Sequence, residues 1–130
     1  MGKKFALIFG WVFLIIGILG FIPNPIVGLR VDTIFFTDTP HNIVHIISGL
    51  VFLFVAYKAS SKSAMTLKVF GVVYLLVTIL GFFSVNDTSG VGSILGVMAI
   101  NTADNWLHVV LGLGALLAGI KASKDMGRTM

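Results

Sequence analysis

The chain has 130 residues, of which 57% are apolar and only 11% are charged. Soluble globular domains average about 45–50% apolar and about 25% charged residues, so this chain has too few polar side chains to cover a soluble fold. The lack of cysteine argues against a disulfide-stabilised secreted scaffold, and the apolar content argues against a disordered chain. A small membrane protein remains, with room for a single integral membrane domain over residues 1–130.

Four apolar segments predict an all-α bundle of four transmembrane helices, at residues 5–22, 41–57, 67–85 and 103–120. At about 1.5 Å rise per residue, each segment nearly matches a hydrocarbon core about 30 Å thick. Because lipid offers no hydrogen-bond partners to backbone groups, these segments are expected to be helices rather than strands.

The basic residues give the bundle a predicted orientation. One side of the four-helix arrangement carries eight of the nine, namely Lys3, Lys4, Lys58, Lys62, Lys68, Lys121, Lys124 and Arg128. The other side carries only Arg30. This asymmetry predicts that both termini are cytoplasmic. The positive charge then lies beside anionic lipid of the bilayer, and no nucleic-acid partner is predicted.

The sequence repeats itself at an interval of about sixty residues. Residues 10–23 match residues 71–84 at seven of fourteen positions, and residues 39–60 match residues 102–123 at nine of twenty-two. The chain is therefore predicted to contain two parallel two-helix repeats, at residues 5–60 and 67–123. A pseudo-twofold axis along the membrane normal would relate them and place equivalent residues at equal depth.

The starts of the second and fourth helices carry typical N-terminal signals. Thr39 and Thr102 are predicted to be N-caps, and Pro40 follows in the first turn. Asp104 lies in the first turn of the fourth helix, where the positive end of the helix dipole favours it. As an alternative, Asp104 pairs across the axis with its repeat equivalent, His41, in a pH-sensitive contact.

The outer connections, at residues 23–40 and 86–102, are long for so small a protein. Each contains a short apolar piece, at residues 31–36 and 94–100. Such pieces are too short to span a bilayer, so we expect them to lie in the interface or to fold over the mouth of the bundle.

His45 and His108 form the candidate cofactor site, because they occupy equivalent repeat positions near the outer ends of their helices. An ionisable side chain within a membrane costs at least about 2–3 kcal/mol and usually faces the bundle interior or a wet cavity. Two imidazoles facing each other across the axis are suited to a metal ion or to a b-type haem. Gly49 and Gly112, four residues later, would allow a porphyrin edge to approach.

The same two histidines also have a purely structural interpretation, in which each imidazole bonds a loop carbonyl or a neighbouring amide. Asn42 and Asn105 are predicted to lie beside them, either as hydrogen-bond partners or as an outer shell of the site. Neither haem nor a metal is favoured, because two histidines without cysteine are few ligands for an ion. No helical glutamate is present to complete a di-iron site.

An enzyme is not predicted, because the sequence places no acid or base at mid-membrane and offers no Ser–His–acid set or carboxylate pair. The small residues along the helices favour close packing and hence a structural or interaction role. Self-association or membership of a larger membrane complex would fit that role. The alternative function is a redox or ligand-binding membrane protein that uses His45 and His108.

Three motifs carry a resemblance to a known family: GxxFLxxGxLGF in the first helix, HNxxHxxxG in the second and NTADNWLHxxLG at residues 101–112. The third is the most specific. With these motifs the chain resembles a family of small bacterial four-span membrane proteins known only as a domain of unknown function. The resemblance extends over nearly the whole chain. It implies a four-helix protein of the cytoplasmic membrane and implies no activity.

Overall fold

The computed structural model describes residues 1–129, and four long helices dominate this part of the chain. They are α1 (Gly2–Leu19), α2 (Thr39–Lys58), α3 (Ser63–Ser84) and α4 (Thr102–Thr129). Each is long and apolar enough to cross a membrane, which confirms the predicted all-α, four-transmembrane-helix bundle. Helix α4 continues well beyond residue 120, where the apolar segment ends, and its continuation begins with the good helix formers Lys121 and Ala122.

The outside of the bundle is apolar, as a lipid environment requires. Large side chains such as Phe54, Phe83 and Val110 are 64%, 88% and 67% exposed. The interior instead combines aromatic and small residues, with Phe13, Phe52, Leu67, Tyr74, Ala6, Ala56 and Ala115 in one cluster. An arrangement with exposed apolar side chains on every helix is expected when the surrounding solvent is lipid rather than water.

Helix α1 packs mainly against α2, and α3 packs mainly against α4. Glycine residues allow the two helices of each pair to approach each other closely. A Cβ atom at Gly49 would lie 2.7 Å from the carbonyl oxygen of Gly10, and one at Gly71 would lie 2.8 Å from that of Gly112. The predicted repeat aligns Gly10 with Gly71 and Gly49 with Gly112, although the repeat itself stays a prediction.

The helix starts differ from the prediction by one residue. Asp38, not Thr39, is the N-cap of α2, since its side chain accepts a hydrogen bond from the backbone N–H of His41 at 3.0 Å. In α4, Asn101 Oδ1 accepts from the Asp104 N–H and Asp104 Oδ2 accepts from the Asn101 N–H, both at 2.9 Å. This reciprocal pair is a capping box, so the cap function belongs to Asn101 instead of Thr102. Pro40 does lie in the first turn of α2, and Asp104 in that of α4, as predicted.

One end of the bundle is covered by four short strands: β1 (Val27–Gly28), β2 (Phe35–Phe36), β3 (Val91–Ile94) and β4 (Met98–Asn101). Strands β1 and β2 pair in parallel, and β3 and β4 form an antiparallel hairpin. The Asn101 side-chain amide donates to the carbonyl oxygen of Ile34 at 2.9 Å and joins the two outer connections. The sequence predicted only apolar pieces here. Pairing satisfies their backbone groups next to the membrane.

The other end of the bundle contains the beginning of α1, the turn between α2 and α3, and the later part of α4. Gly2 packs there against Ser63, Ala64 and Ala122. The short 3₁₀ turn at Ser60–Lys62 joins α2 to α3 at this end. The predicted basic side is therefore one physical end of the molecule, opposite the strands.

A candidate metal centre formed by three histidines

The three histidines of the chain meet inside the bundle, just below the strand-covered end. His41 and His45 are one turn apart on α2, a spacing that places them on one helix face. His108 reaches them from α4. Each is only 1% exposed. The Nε2 atom of His41 lies 3.1 Å from Nε2 of His45 and 3.4 Å from Nε2 of His108.

The backbone carbonyl of Ala99 determines which nitrogen of His41 carries the proton. Nδ1 of His41 lies 2.7 Å from this oxygen, which can only accept, so Nδ1 is the donor. In a neutral ring the lone pair is then on Nε2, which faces the other two histidines. One in-plane lone pair cannot accept two well-aligned hydrogen bonds. An ion that takes one lone pair from each ring satisfies all three Nε2 atoms.

Two of the three distances between these nitrogens suit a tetrahedral ion. Bonds of about 2.0–2.1 Å from Zn²⁺ to imidazole place two ligand nitrogens about 3.4 Å apart. Nε2 of His41 lies 3.1 Å from that of His45 and 3.4 Å from that of His108, and the ligand atoms of all three residues lie within 4.8 Å of one another. Imidazole nitrogens suit Zn, Cu, Fe and Ni rather than Mg or Ca.

Aromatic side chains pack against two of the imidazole rings. Phe13 stacks on His45 with ring centroids 5.6 Å apart, and Tyr74 meets His108 edge-on at 5.7 Å. The Tyr74 hydroxyl shares a hydrogen bond of 2.9 Å with Ser48 Oγ. Packed rings of this kind keep ligand orientations fixed, as a binding site requires.

A cavity of about 220 Å³ adjoins the cluster, and all three histidines line it. Its other walls come mainly from apolar side chains of α2 and α3, together with Met98 of β4. A larger cavity of about 390 Å³ lies in the outer connection between residues 20 and 33 and does not include a histidine.

The arrangement does not fit a haem held between His45 and His108. Their rings stack, with centroids 5.6 Å apart and planes inclined by 29°, whereas axial ligands point a nitrogen at the iron from opposite sides. Nε2 of His41 also lies close to both rings, where the porphyrin plane would have to pass. The structure does bring His45 and His108 together, but with His41 as a third member.

The two asparagines do not bond the histidines. Within residues 1–129, neither amide atom of Asn42 or Asn105 has a hydrogen-bond partner. The side chain of Asn42 packs on Gly20 of the α1 end, and that of Asn105 packs on Gly81 of α3. In the described part of the chain, the predicted hydrogen bonds from these amides to the imidazoles are therefore not formed, because the helix backbone turns the amides toward the neighbouring helix.

Three other residues that were predicted to lie around the histidine site have roles elsewhere in the bundle. Gly49 faces Leu14 and the Gly10 carbonyl rather than a cofactor, and Gly112 faces α3 in the same manner. Asp104 is 1% exposed and its carboxylate serves the α4 capping box. Over the described residues no hydrogen bond joins Asp104 to His41, so the predicted pair across the axis does not form.

Sequence reasoning missed two residues of this site. The first is His41, which the sequence suggested only as a partner of its repeat equivalent, Asp104. The spacing of four residues between His41 and His45 nevertheless indicates that both lie on one helix face. The second residue is Asp38. Its carboxylate accepts from the backbone N–H groups of both His41 and Ala99, at 3.0 and 2.9 Å.

Asp38 is therefore expected to position His41. In the variant Asp38→Ala, the backbone N–H of Ala99 loses its acceptor, so the neighbouring Ala99 carbonyl no longer holds the His41 ring in a fixed orientation. We expect a 10–100-fold lower affinity for Zn²⁺, the usual cost of removing an outer-shell partner. Competition with a chromogenic chelator in detergent measures it. Asp32→Ala, which removes a carboxylate exposed beside Arg30, is the matched control and should leave the affinity unchanged. An unaltered affinity in Asp38→Ala would contradict this positioning role.

Comparison with known proteins identifies the family and no activity. No curated protein and no solved structure matches the chain. Residues 3–121 match a family described as a domain of unknown function (DUF4383). This confirms the resemblance inferred from the helix motifs. The chain, with its four apolar helices and buried histidine cluster, therefore belongs to the DUF4383 family.

Proposed function

We propose that this multi-pass membrane protein binds one transition-metal ion through Nε2 of His41, His45 and His108. The observation that carries the proposal is the convergence of three buried imidazoles, with Nε2 of His41 3.1 Å from that of His45 and 3.4 Å from that of His108. Buried imidazoles in an apolar bundle are costly, so the arrangement needs a compensating partner. The hydrogen bond from Nδ1 of His41 to a backbone carbonyl is also the usual support of a metal-ligating histidine.

We further propose that the function is binding rather than catalysis. The described residues that line the adjoining cavity include the hydroxyls of Ser48 and Tyr74 but no carboxylate that would act as a base. An ion with neutral protein ligands in such surroundings is suited to being held, sensed or passed on. Self-association or a place in a larger complex stays a prediction of the sequence and is compatible with this role.

Metal content tests the proposal. The chain, purified in detergent, is equilibrated separately with Zn²⁺, Co²⁺ and Cu²⁺, freed of excess ion, and analysed for metal by mass spectrometry. We expect one equivalent of at least one ion per chain, and Co²⁺ should give the intense visible bands of a tetrahedral site. A folded protein that retains no ion above the buffer level would overturn the proposal and leave the structural or interaction role.

The orientation of the bundle is a second proposal, with the basic end in the cytoplasm and the strands outside a bacterial inner membrane. The chain contains no cysteine, so single cysteines are clean probes. In intact bacterial cells, an impermeant thiol reagent should modify Asp32→Cys and Asp87→Cys but not Lys62→Cys or Lys124→Cys. Labelling of Lys62→Cys from outside would show that the orientation is reversed.

A further inference from the structure

The cavity beside the histidines has an opening toward lipid. It lies between α2 and α3, where Val44 and Val73 line it and are themselves 40% and 47% exposed on the outside of the bundle. Helices α2 and α3 belong to different tightly packed pairs and touch each other little. A molecule dissolved in the bilayer can therefore reach this cavity without crossing the strands.

The same cavity faces the position where a fourth metal ligand would be. Three protein nitrogens leave one coordination position open on a tetrahedral ion. The ring of His45 is covered by Phe13 and Nδ1 of His41 bonds the Ala99 carbonyl, while all three histidines line the cavity. An additional ligand of the ion would thus come from the cavity.

The lining specifies the chemistry of that ligand. Val44, Phe70 and Val77 make the wall apolar, and burial of a second charge in such surroundings would be costly. The polar exception is the pair of Ser48 and Tyr74, whose hydroxyls lie 2.9 Å apart. One hydroxyl proton is used between them, so the other remains available to an oxygen atom of a ligand.

We infer that the cavity binds a small, mostly apolar molecule with one hydroxyl or carbonyl oxygen, which enters from the bilayer and coordinates the ion through that oxygen. This inference rests on the proposed metal site. The apolar body lies against Phe70 and Val77, and the free hydroxyl proton of the Ser48–Tyr74 pair donates to the ligand oxygen. The ion and the hydroxyl thus recognise the same atom from two sides.

Visible absorption of the Co²⁺-loaded protein tests the inference with p-cresol as the probe. We expect saturable changes in the Co²⁺ bands on titration with p-cresol. Toluene has nearly the same shape but no oxygen, and it should leave the bands unchanged. If Co²⁺ binds but p-cresol produces no saturable change, the inference is overturned and the metal site stands. If Co²⁺ does not bind, the proposed function itself fails.

Matched variants locate the probe. Val77→Phe fills the cavity and should weaken p-cresol binding at least tenfold. Val72→Phe adds the same ring to a residue of α3 that is 46% exposed and does not line the cavity, so it should leave binding unchanged. The double variant Ser48→Ala/Tyr74→Phe removes both hydroxyls with little change of shape and should weaken binding at least fivefold. Equal p-cresol affinity in all three variants would show nonspecific partitioning and overturn the inference.

Discussion

His41→Ala is expected to lower the Zn²⁺ affinity of the purified protein by more than about 100-fold, since losing a ligand should exceed the 10–100-fold cost of losing an outer-shell partner. Nε2 of His41 lies within 3.4 Å of Nε2 of both other histidines. Its removal therefore takes away the ligand that connects the other two nitrogens. Metal content after dialysis and chelator competition both measure the effect.

His45→Gln and Thr78→Val complete this experiment. Glutamine at position 45 replaces the hydrogen-bonding capacity of the imidazole but is a poor metal ligand, so insertion of the helices should persist while the ion is lost. Thr78 is buried and donates to the Tyr74 carbonyl, away from the ligand nitrogens, so Thr78→Val should retain full metal binding. Full metal content in His41→Ala would refute the three-histidine centre.

Gly49→Ala is expected to destabilise the bundle by about 1–3 kcal/mol, the usual cost of overpacking. The added Cβ would lie 2.6 Å from the backbone nitrogen of Leu14 and 2.7 Å from the carbonyl oxygen of Gly10. Backbone atoms cannot move aside without separating α1 from α2. Reversible unfolding in detergent, followed by circular dichroism, measures the loss.

Gly114→Ala is the matched control for this packing effect. Its Cβ would meet only the end of the Phe9 ring, at 3.2 Å, and that ring can rotate away. We expect Gly114→Ala to be neutral or slightly stabilising, because alanine favours the helix over glycine. Equal stability of the two variants would mean that α1 and α2 do not pack as closely as the structure has them.

The helices were predictable because lipid imposes length and apolarity on each spanning segment separately, without reference to the others. The strands were not. Residues 94–100 show only a short apolar run. The pairing of β3 with β4 depends on a turn with Leu95 and Gly96 at positive φ, which apolar periodicity does not reveal. The N-cap was misplaced for a similar reason, since Asp38 and Thr39 are both good caps and only the fold selects between them.

The histidine site was predictable only in part. Repeat symmetry identified His45 and His108 as one candidate site, and the structure brings the two side chains together. The same symmetry gave no reason to include His41, because the equivalent position in the second repeat is occupied by Asp104 and not by a histidine. The Ala99 carbonyl and the Asp38 carboxylate depend on the path of the outer connections, which no local pattern in the sequence specifies.

The ligands of the proposed centre come from both tightly packed helix pairs, two from α2 and one from α4. Helical hairpins of a membrane protein can insert before they associate. The ligand set is complete only after the two hairpins have met, so a newly inserted chain would acquire its ion late in assembly. The ion then acts as a cross-link that favours the assembled state by mass action. Chelation would consequently loosen one hairpin from the other while every helix remained in the bilayer.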